Sequence, residues 1–234
     1  HGWRSTPRPT SCVAGSGSDE PSLSNKPADC GVGKFGAGVG YQQQADCLDC
    51  PFGYVCDSTG MRFGDGIGTT GSDMVLCPQG SICAGATTLA NKVECDAGFY
   101  CPEGVGEQLP CAPGYYQDGT GSYECKICTA GNYCPFDAAA GTAAMTPCDA
   151  GHFCETTGMS APEPCPVGSY AAAPGANSCS PCEIGRYCPL EGMADLSSWE
   201  CPGGYFCVAG STTYAGQACA AGAYCGQGAT GETP

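Results

Sequence analysis

The chain has 234 residues, of which 23 are Cys and 38 are Gly, while Leu, Ile, Val and Phe together number 27, below 12% of the chain. An ordinary hydrophobic core is excluded at that level, because ordering each residue costs about 1–2 kcal/mol of backbone entropy that so few large apolar side chains cannot offset. The net charge of −15, from 8 basic and 23 acidic residues, disfavours nucleic acid and anionic membrane as partners, since both require clustered positive charge.

Covalent crosslinks must therefore hold the fold. Twenty-three cysteines form at most eleven disulfides, each worth about 2–4 kcal/mol through restriction of the unfolded chain. Such a density persists only in oxidising surroundings, so the expected location is extracellular or at the cell surface, reached by the secretory pathway. Zinc is the competing reading of the C-x-x-C pairs Cys47/Cys50, Cys125/Cys128 and Cys179/Cys182, but zinc sites tend to recruit some His and only His1 and His152 exist. No apolar run approaches the roughly 18–20 residues a bilayer demands, so no membrane insertion is expected in this segment. The first residue is His1 rather than Met, as expected of a chain whose leader was cleaved or that was cut from a longer one.

Residues 1–29 read as a Ser/Thr/Pro-rich extended linker, RSTPRPTS followed by SGSDEPSLSNKP. Ser5, Thr6, Thr10 and Ser11 are its candidate O-glycosylation sites, which would make the protein a glycoprotein. Asn-linked sugar has no acceptor, because none of Asn25, Asn91, Asn132 and Asn177 opens an N-x-S/T sequon.

From Cys30 onward one short unit recurs, and a fixed repeat decides the fold class. Eight times the chain writes C-x5-C with Gly three residues after the first Cys: CPFGYVC, CPQGSIC, CDAGFYC, CTAGNYC, CDAGHFC, CEIGRYC, CPGGYFC and CAAGAYC. Three further copies, CGVGKF at Cys30, CAPGYY at Cys111 and CPVGSY at Cys165, lack the second Cys, and each opens a larger block of six cysteines. Residues 30–110 form the first block, with Cys30, Cys47, Cys50, Cys56, Cys77 and Cys83 plus an extra unit at Cys95 and Cys101. Residues 111–164 form the second, with Cys111, Cys125, Cys128, Cys134, Cys148 and Cys154. Residues 165–234 form the third, with Cys165, Cys179, Cys182, Cys188, Cys201 and Cys207, followed by an unfinished unit at Cys219 and Cys225. Three blocks use 18 of the 23 cysteines and leave Cys12, Cys95, Cys101, Cys219 and Cys225 unassigned. The odd total predicts at least one thiol that is free or bonded outside this segment, and the last pair predicts a block that continues beyond Pro234.

Within the unit the recurring Gly predicts a turn with positive φ. The position before the second Cys is Val55, Ile82, Tyr100, Tyr133, Phe153, Tyr187, Phe206 or Tyr224. A side chain there can cover the nearest disulfide and give each unit a small private core, with Tyr hydroxyls left in water; a ligand-binding aromatic ladder is the functional alternative. Spacing leaves the connectivity open. Cysteines six residues apart on an extended strand lie about 20 Å apart, too far to bond unless a tight Gly turn folds them together. Bonding across units is the favoured alternative. It pairs first with second (Cys30–Cys47, Cys111–Cys125, Cys165–Cys179), third with fifth (Cys50–Cys77, Cys128–Cys148, Cys182–Cys201) and fourth with sixth (Cys56–Cys83, Cys134–Cys154, Cys188–Cys207).

Blocks such as CAPGYYQDGTGSYECKICTAGNYC and CPVGSYAAAPGANSCSPCEIGRYC resemble the ephrin-receptor-like cysteine-rich repeats, relatives of the tumour-necrosis-factor-receptor and growth-factor-receptor modules. The resemblance runs from Cys30 to Cys225, and its Ala/Gly/Thr-spaced style is most like that of large protist and algal surface proteins. It implies small disulfide-rich repeats in an elongated rod of short β-hairpins and loops, with little helix, no large hydrophobic core and a similar disulfide pairing.

Catalysis has little to work with. Nucleophile and base pairs, phosphate loops and paired acids in a defined motif are absent, the cysteines are committed to the ladder, and His152 occupies a position filled elsewhere by Phe, Ser or Arg. No enzyme and no cofactor is expected. Calcium is the one metal kept open by the scattered acids, although no D-x-[DN]-x-[DN]-G loop occurs and Asp65-Gly66 and Asp118-Gly119 read first as turns. The expected function is a structural, non-catalytic building block of an extracellular filament, coat or appendage. Its partners would be copies of itself or other subunits of the assembly, with attached glycans, because repeats that touch only their neighbours extend indefinitely. The alternative is a ligand-binding or adhesion ectodomain, for which Trp3, Trp199 and the Met61-Arg62-Phe63 segment would mark the binding surface.

Overall fold

The computed structural model describes residues 30–36, 47–59 and 74–233. Each of the eleven C-x-x-G copies begins a rung, and the first cysteines of the rungs are Cys30, Cys50, Cys77, Cys95, Cys111, Cys128, Cys148, Cys165, Cys182, Cys201 and Cys219. In every rung the residue after Gly donates its N–H to the carbonyl of the residue after Cys, at 2.9–3.2 Å, as Ser81 does to Pro78. The intervening Gly has φ between 78° and 91°. That is the pattern of a type II turn, whose third position requires positive φ.

The turn throws the chain into a two-residue strand, which pairs antiparallel with the two residues just before the next rung. Lys34–Phe35 pairs with Leu48–Asp49 ahead of Cys50, and Phe99–Tyr100 pairs with Leu109–Pro110 ahead of Cys111. Eight such hairpins follow one another, and the last three rungs keep the pairing as single bridges, Arg186↔Glu200, Tyr205↔Ala218 and Tyr224↔Thr233. No helix occurs among the described residues. The architecture is a rod of short disulfide-closed hairpins, as the repeat pattern predicts.

All 22 described cysteines are bonded, in eleven disulfides. At this density they mark an extracellular, disulfide-stabilised protein. Cys30–Cys47, Cys111–Cys125 and Cys165–Cys179 join first with second in each block. The expectation of third with fifth and fourth with sixth is overturned. Cys50–Cys56, Cys77–Cys83, Cys128–Cys134, Cys148–Cys154, Cys182–Cys188 and Cys201–Cys207 close within their own rungs. The unassigned cysteines Cys95–Cys101 and Cys219–Cys225 do the same, while Cys12 lies outside the described residues. The tight Gly turn, weighed as the alternative to bonding across units, is what the six-residue spacing forms. The turn at Gly folds the spacing back on itself and brings the two Cα atoms to 5.8–6.3 Å, inside the reach of a disulfide.

The core is distributed along the rod. Most buried apolar residues are cysteines, nearly all of them fully inaccessible. Where these small clusters form, the side chain five residues after the first Cys lies on the disulfide of the following rung: Val55 packs on Cys77 and Cys83, and Phe35, ahead of Gly36, packs on Cys50 and Cys56. Tyr170 likewise lies against Cys182 and Cys188, with Met193, Leu196 and Trp199 around it. At these three places the small core is shared between neighbours rather than private to one unit, because the hairpin carries the side chain forward onto the next disulfide.

Candidate functional site

The feature that recurs with the least variation is the junction between rungs. At ten successive junctions the rung Gly donates its N–H, at 2.6–2.9 Å, to the carbonyl six residues after the first Cys of the next rung, as Gly80 does to Cys101. At the same ten junctions the next first Cys returns an N–H to the carbonyl of that Gly, at 2.8–3.2 Å. Two more bonds come from the loop that follows the next rung. It accepts from the N–H of the sixth position, as Val105 does from Cys83 at 3.1 Å, and donates to the first Cys carbonyl, as Gly104 does to Cys77 at 2.9 Å. The backbone polar groups buried beside the disulfides thus find partners in the adjacent rung, which any buried amide requires.

That loop also reaches one rung further back. A Cβ added at Gly80 would lie 2.0 Å from the carbonyl oxygen of Gly121, and one added at Gly114 would lie 2.0 Å from that of Gly158. Both glycines are therefore needed twice, for the positive φ of the turn and for the close approach of another backbone. The loop glycines escaped the sequence reading because they stand at a variable distance after the unit: Gly104 follows Cys101 by three residues, Gly158 follows Cys154 by four, and Gly141 follows Cys134 by seven. A second glycine soon after nearly every unit was the available signal. In one rung Ala86 takes the place, and it is the one non-Gly residue with positive φ among the described residues, at 48°.

Three rungs lack a second Cys, and the sixth position is Gly36, Gln117 or Ala171. Their backbone keeps the junction: the carbonyl of Gln117 accepts from Gly98 at 2.6 Å and that of Ala171 from Gly151 at 2.8 Å. Gln117 is buried and its amide fills the space with bonds, donating to the Glu124 carbonyl at 2.7 Å and accepting from Gly119 at 3.1 Å. The hydrogen bonds across 110/111 and 164/165 match those inside the blocks.

Electrostatics decorate the rod without concentrating at one place. Each basic residue among the described residues has a partner: Lys34 with Asp49, Lys92 with the Ser81 hydroxyl, Lys126 with Asp118, and Arg186 with Glu200 and the Leu196 carbonyl. The Lys126 ammonium holds the Asp118 carboxyl below its ordinary range and is itself raised by that contact. The N–H groups of Ala140 and Ala139 lower Asp137, and Ser197 lowers Asp195. Tyr170 is raised because its hydroxyl donates to Glu183.

Among the described residues no three His, Cys, Asp or Glu side chains are arranged to hold a metal ion. Asp118, in the Asp-Gly pair weighed for calcium, is engaged by Lys126, while Asp65-Gly66 lies outside the described residues. Ser5, Thr6, Thr10, Ser11, Trp3 and the Met61-Arg62-Phe63 segment lie outside them as well. His152 sits in a hairpin strand with its Nδ1 buried and without a hydrogen-bond partner. Trp199 is half-buried and meets Tyr187 edge to face at 5.5 Å. Tyr187 also meets Tyr214, and Tyr214 meets Tyr205, both at 5.2 Å with steep interplanar angles. Rings packed edge to face present no common flat surface of the kind that stacks on a ligand.

No family model matches this chain, and no curated protein matches it. No helix among the described residues is long and apolar enough to cross a membrane.

Proposed function

We infer that this chain is a structural, non-catalytic building block of an extracellular filament, cell-surface coat or appendage, assembled from ephrin-receptor-like cysteine-rich repeats. The supporting observation is the junction, where the same backbone bonds join one rung to the next while the side chains between them vary from Gln to Ala to Cys. An interface made of main chain and glycine accepts another copy of the unit whatever its surface, which is the property a linear assembly needs. Its partners are then copies of itself or other subunits, with glycans on the 1–29 stretch, and no cofactor takes part.

The test is electron microscopy and ligand screening of the native material. Rods joined end to end or embedded in a fibre are expected. Isolated monomers with saturable affinity for one soluble ligand would instead favour the ectodomain alternative, for which Trp199 is the residue to mutate first among those described.

A further inference from the structure

We propose that Tyr214 is a site of intrachain dityrosine formation, coupling with Tyr205 or Tyr187. Three tyrosines touch in a row: the Tyr187 and Tyr214 ring centroids are 5.2 Å apart at 70°, and the Tyr214 and Tyr205 centroids are 5.2 Å apart at 72°. Tyr214 is the middle ring. It lies in the loop after the rung that opens at Cys201, whereas Tyr205 lies inside that rung and Tyr187 lies in the rung before it. All three are half-buried, so the rings are held in place while solvent still reaches them. Tyr170 differs, since its hydroxyl donates to Glu183 at 2.9 Å and its ionisation is made harder.

The chemistry needs a one-electron oxidant, and the class named here is a peroxidase with hydrogen peroxide. Each of two phenols loses one electron and one proton to give a phenoxyl radical. The radicals join through ring carbons beside the hydroxyls, forming one C–C bond, and the hydrogens on those carbons move to the oxygens as the rings regain aromaticity. Peroxide takes up the two electrons and two protons and leaves as two waters. Neighbouring rings already in contact turn the joining step from a bimolecular encounter into a unimolecular one, which is where proximity gains most. The described cysteines are all in disulfides, so none of those residues offers a thiol that would quench the radicals. The product would be a non-reducible staple in a ladder otherwise held by reducible bonds.

The experiment treats the whole chain, dilute and with disulfides intact, with peroxidase and hydrogen peroxide. Dityrosine fluorescence is then read in the monomer band of a reducing gel, and digested peptides are sequenced by mass spectrometry. The expected result is a monomer carrying the fluorescence and a peptide pair that joins Tyr214 to Tyr205 or Tyr187 with the loss of two hydrogens. Tyr214→Phe keeps the ring packing and should lose that product. Tyr224→Phe, at the most exposed tyrosine among the described residues, 73% accessible, should retain it. Fluorescence confined to dimers, fluorescence unchanged by Tyr214→Phe, or no dityrosine at all would overturn the proposal. Each outcome leaves the filament reading untouched, because that reading rests on the junctions and not on these rings.

Discussion

Eight rungs close on themselves through C-x5-C, and three, opening at Cys30, Cys111 and Cys165, close across their hairpins onto Cys47, Cys125 and Cys179. The two kinds differ in covalent chemistry and agree in backbone. Gly98 reaches the carbonyl of Gln117 as Gly80 reaches that of Cys101, at 2.6 and 2.8 Å. The comparison separates what the fold needs from what it can exchange. The position of the crosslink is exchangeable, whereas the turn glycine and its neighbour across the junction are common to both kinds of rung.

The sharpest way to break this division is at the glycines. Gly80→Ala places a Cβ 2.0 Å from the Gly121 carbonyl and strains a φ of 78°, and should cost on the order of 3–5 kcal/mol in denaturant unfolding with disulfides intact. Removing one rung's crosslink, with Cys128→Ser and Cys134→Ser together, should cost about 2 kcal/mol, the value for a short closed loop. If the crosslink loss proved the larger, the ranking of backbone over bond would be wrong. Gln117→Ala leaves the Gly119 N–H and the Glu124 carbonyl without their partner and should cost about 1–2 kcal/mol. Hydrogen exchange at Gly119 would report the loss locally. The smallest effect is expected from moving a crosslink. Ala171→Cys with Cys179→Ser lets Cys165 bond six residues on, as in the other rungs, and should shift stability by less than about 1 kcal/mol. Peptide mapping that found Cys165 unbonded in this variant would show that the two kinds of rung are not interchangeable.

The rod and its rungs were legible in the sequence, because cysteines, turn glycines and bulky neighbours repeat in one fixed order. Connectivity was not, since a six-residue spacing means about 20 Å in a strand and a disulfide in a tight turn, and a positive-φ glycine does not by itself say whether the turn brings its two flanking cysteines together. The contact of Gly80 with Gly121 was hidden for a different reason. It joins residues two rungs apart through loops of unequal length, so no single period exposes it. The step of Val55 and Phe35 onto the following disulfide was hidden by direction: the residues are named by their own unit, but the hairpin points them into the next.

The eight within-rung disulfides have a consequence under tension. Each ties together Cα atoms 5.8–6.3 Å apart that an extended chain would hold about 20 Å apart, so that slack is withheld from a pulling force. Two-residue strands yield first, one hairpin after another, and the chain lengthens by opening turns and loops. It then stops at a contour well short of that of the free polypeptide, and recoils when released because each closed turn still presents the same donors and acceptors to its neighbours. Reduction would abolish the stop, which makes the stiffness of the rod a function of the redox state around it.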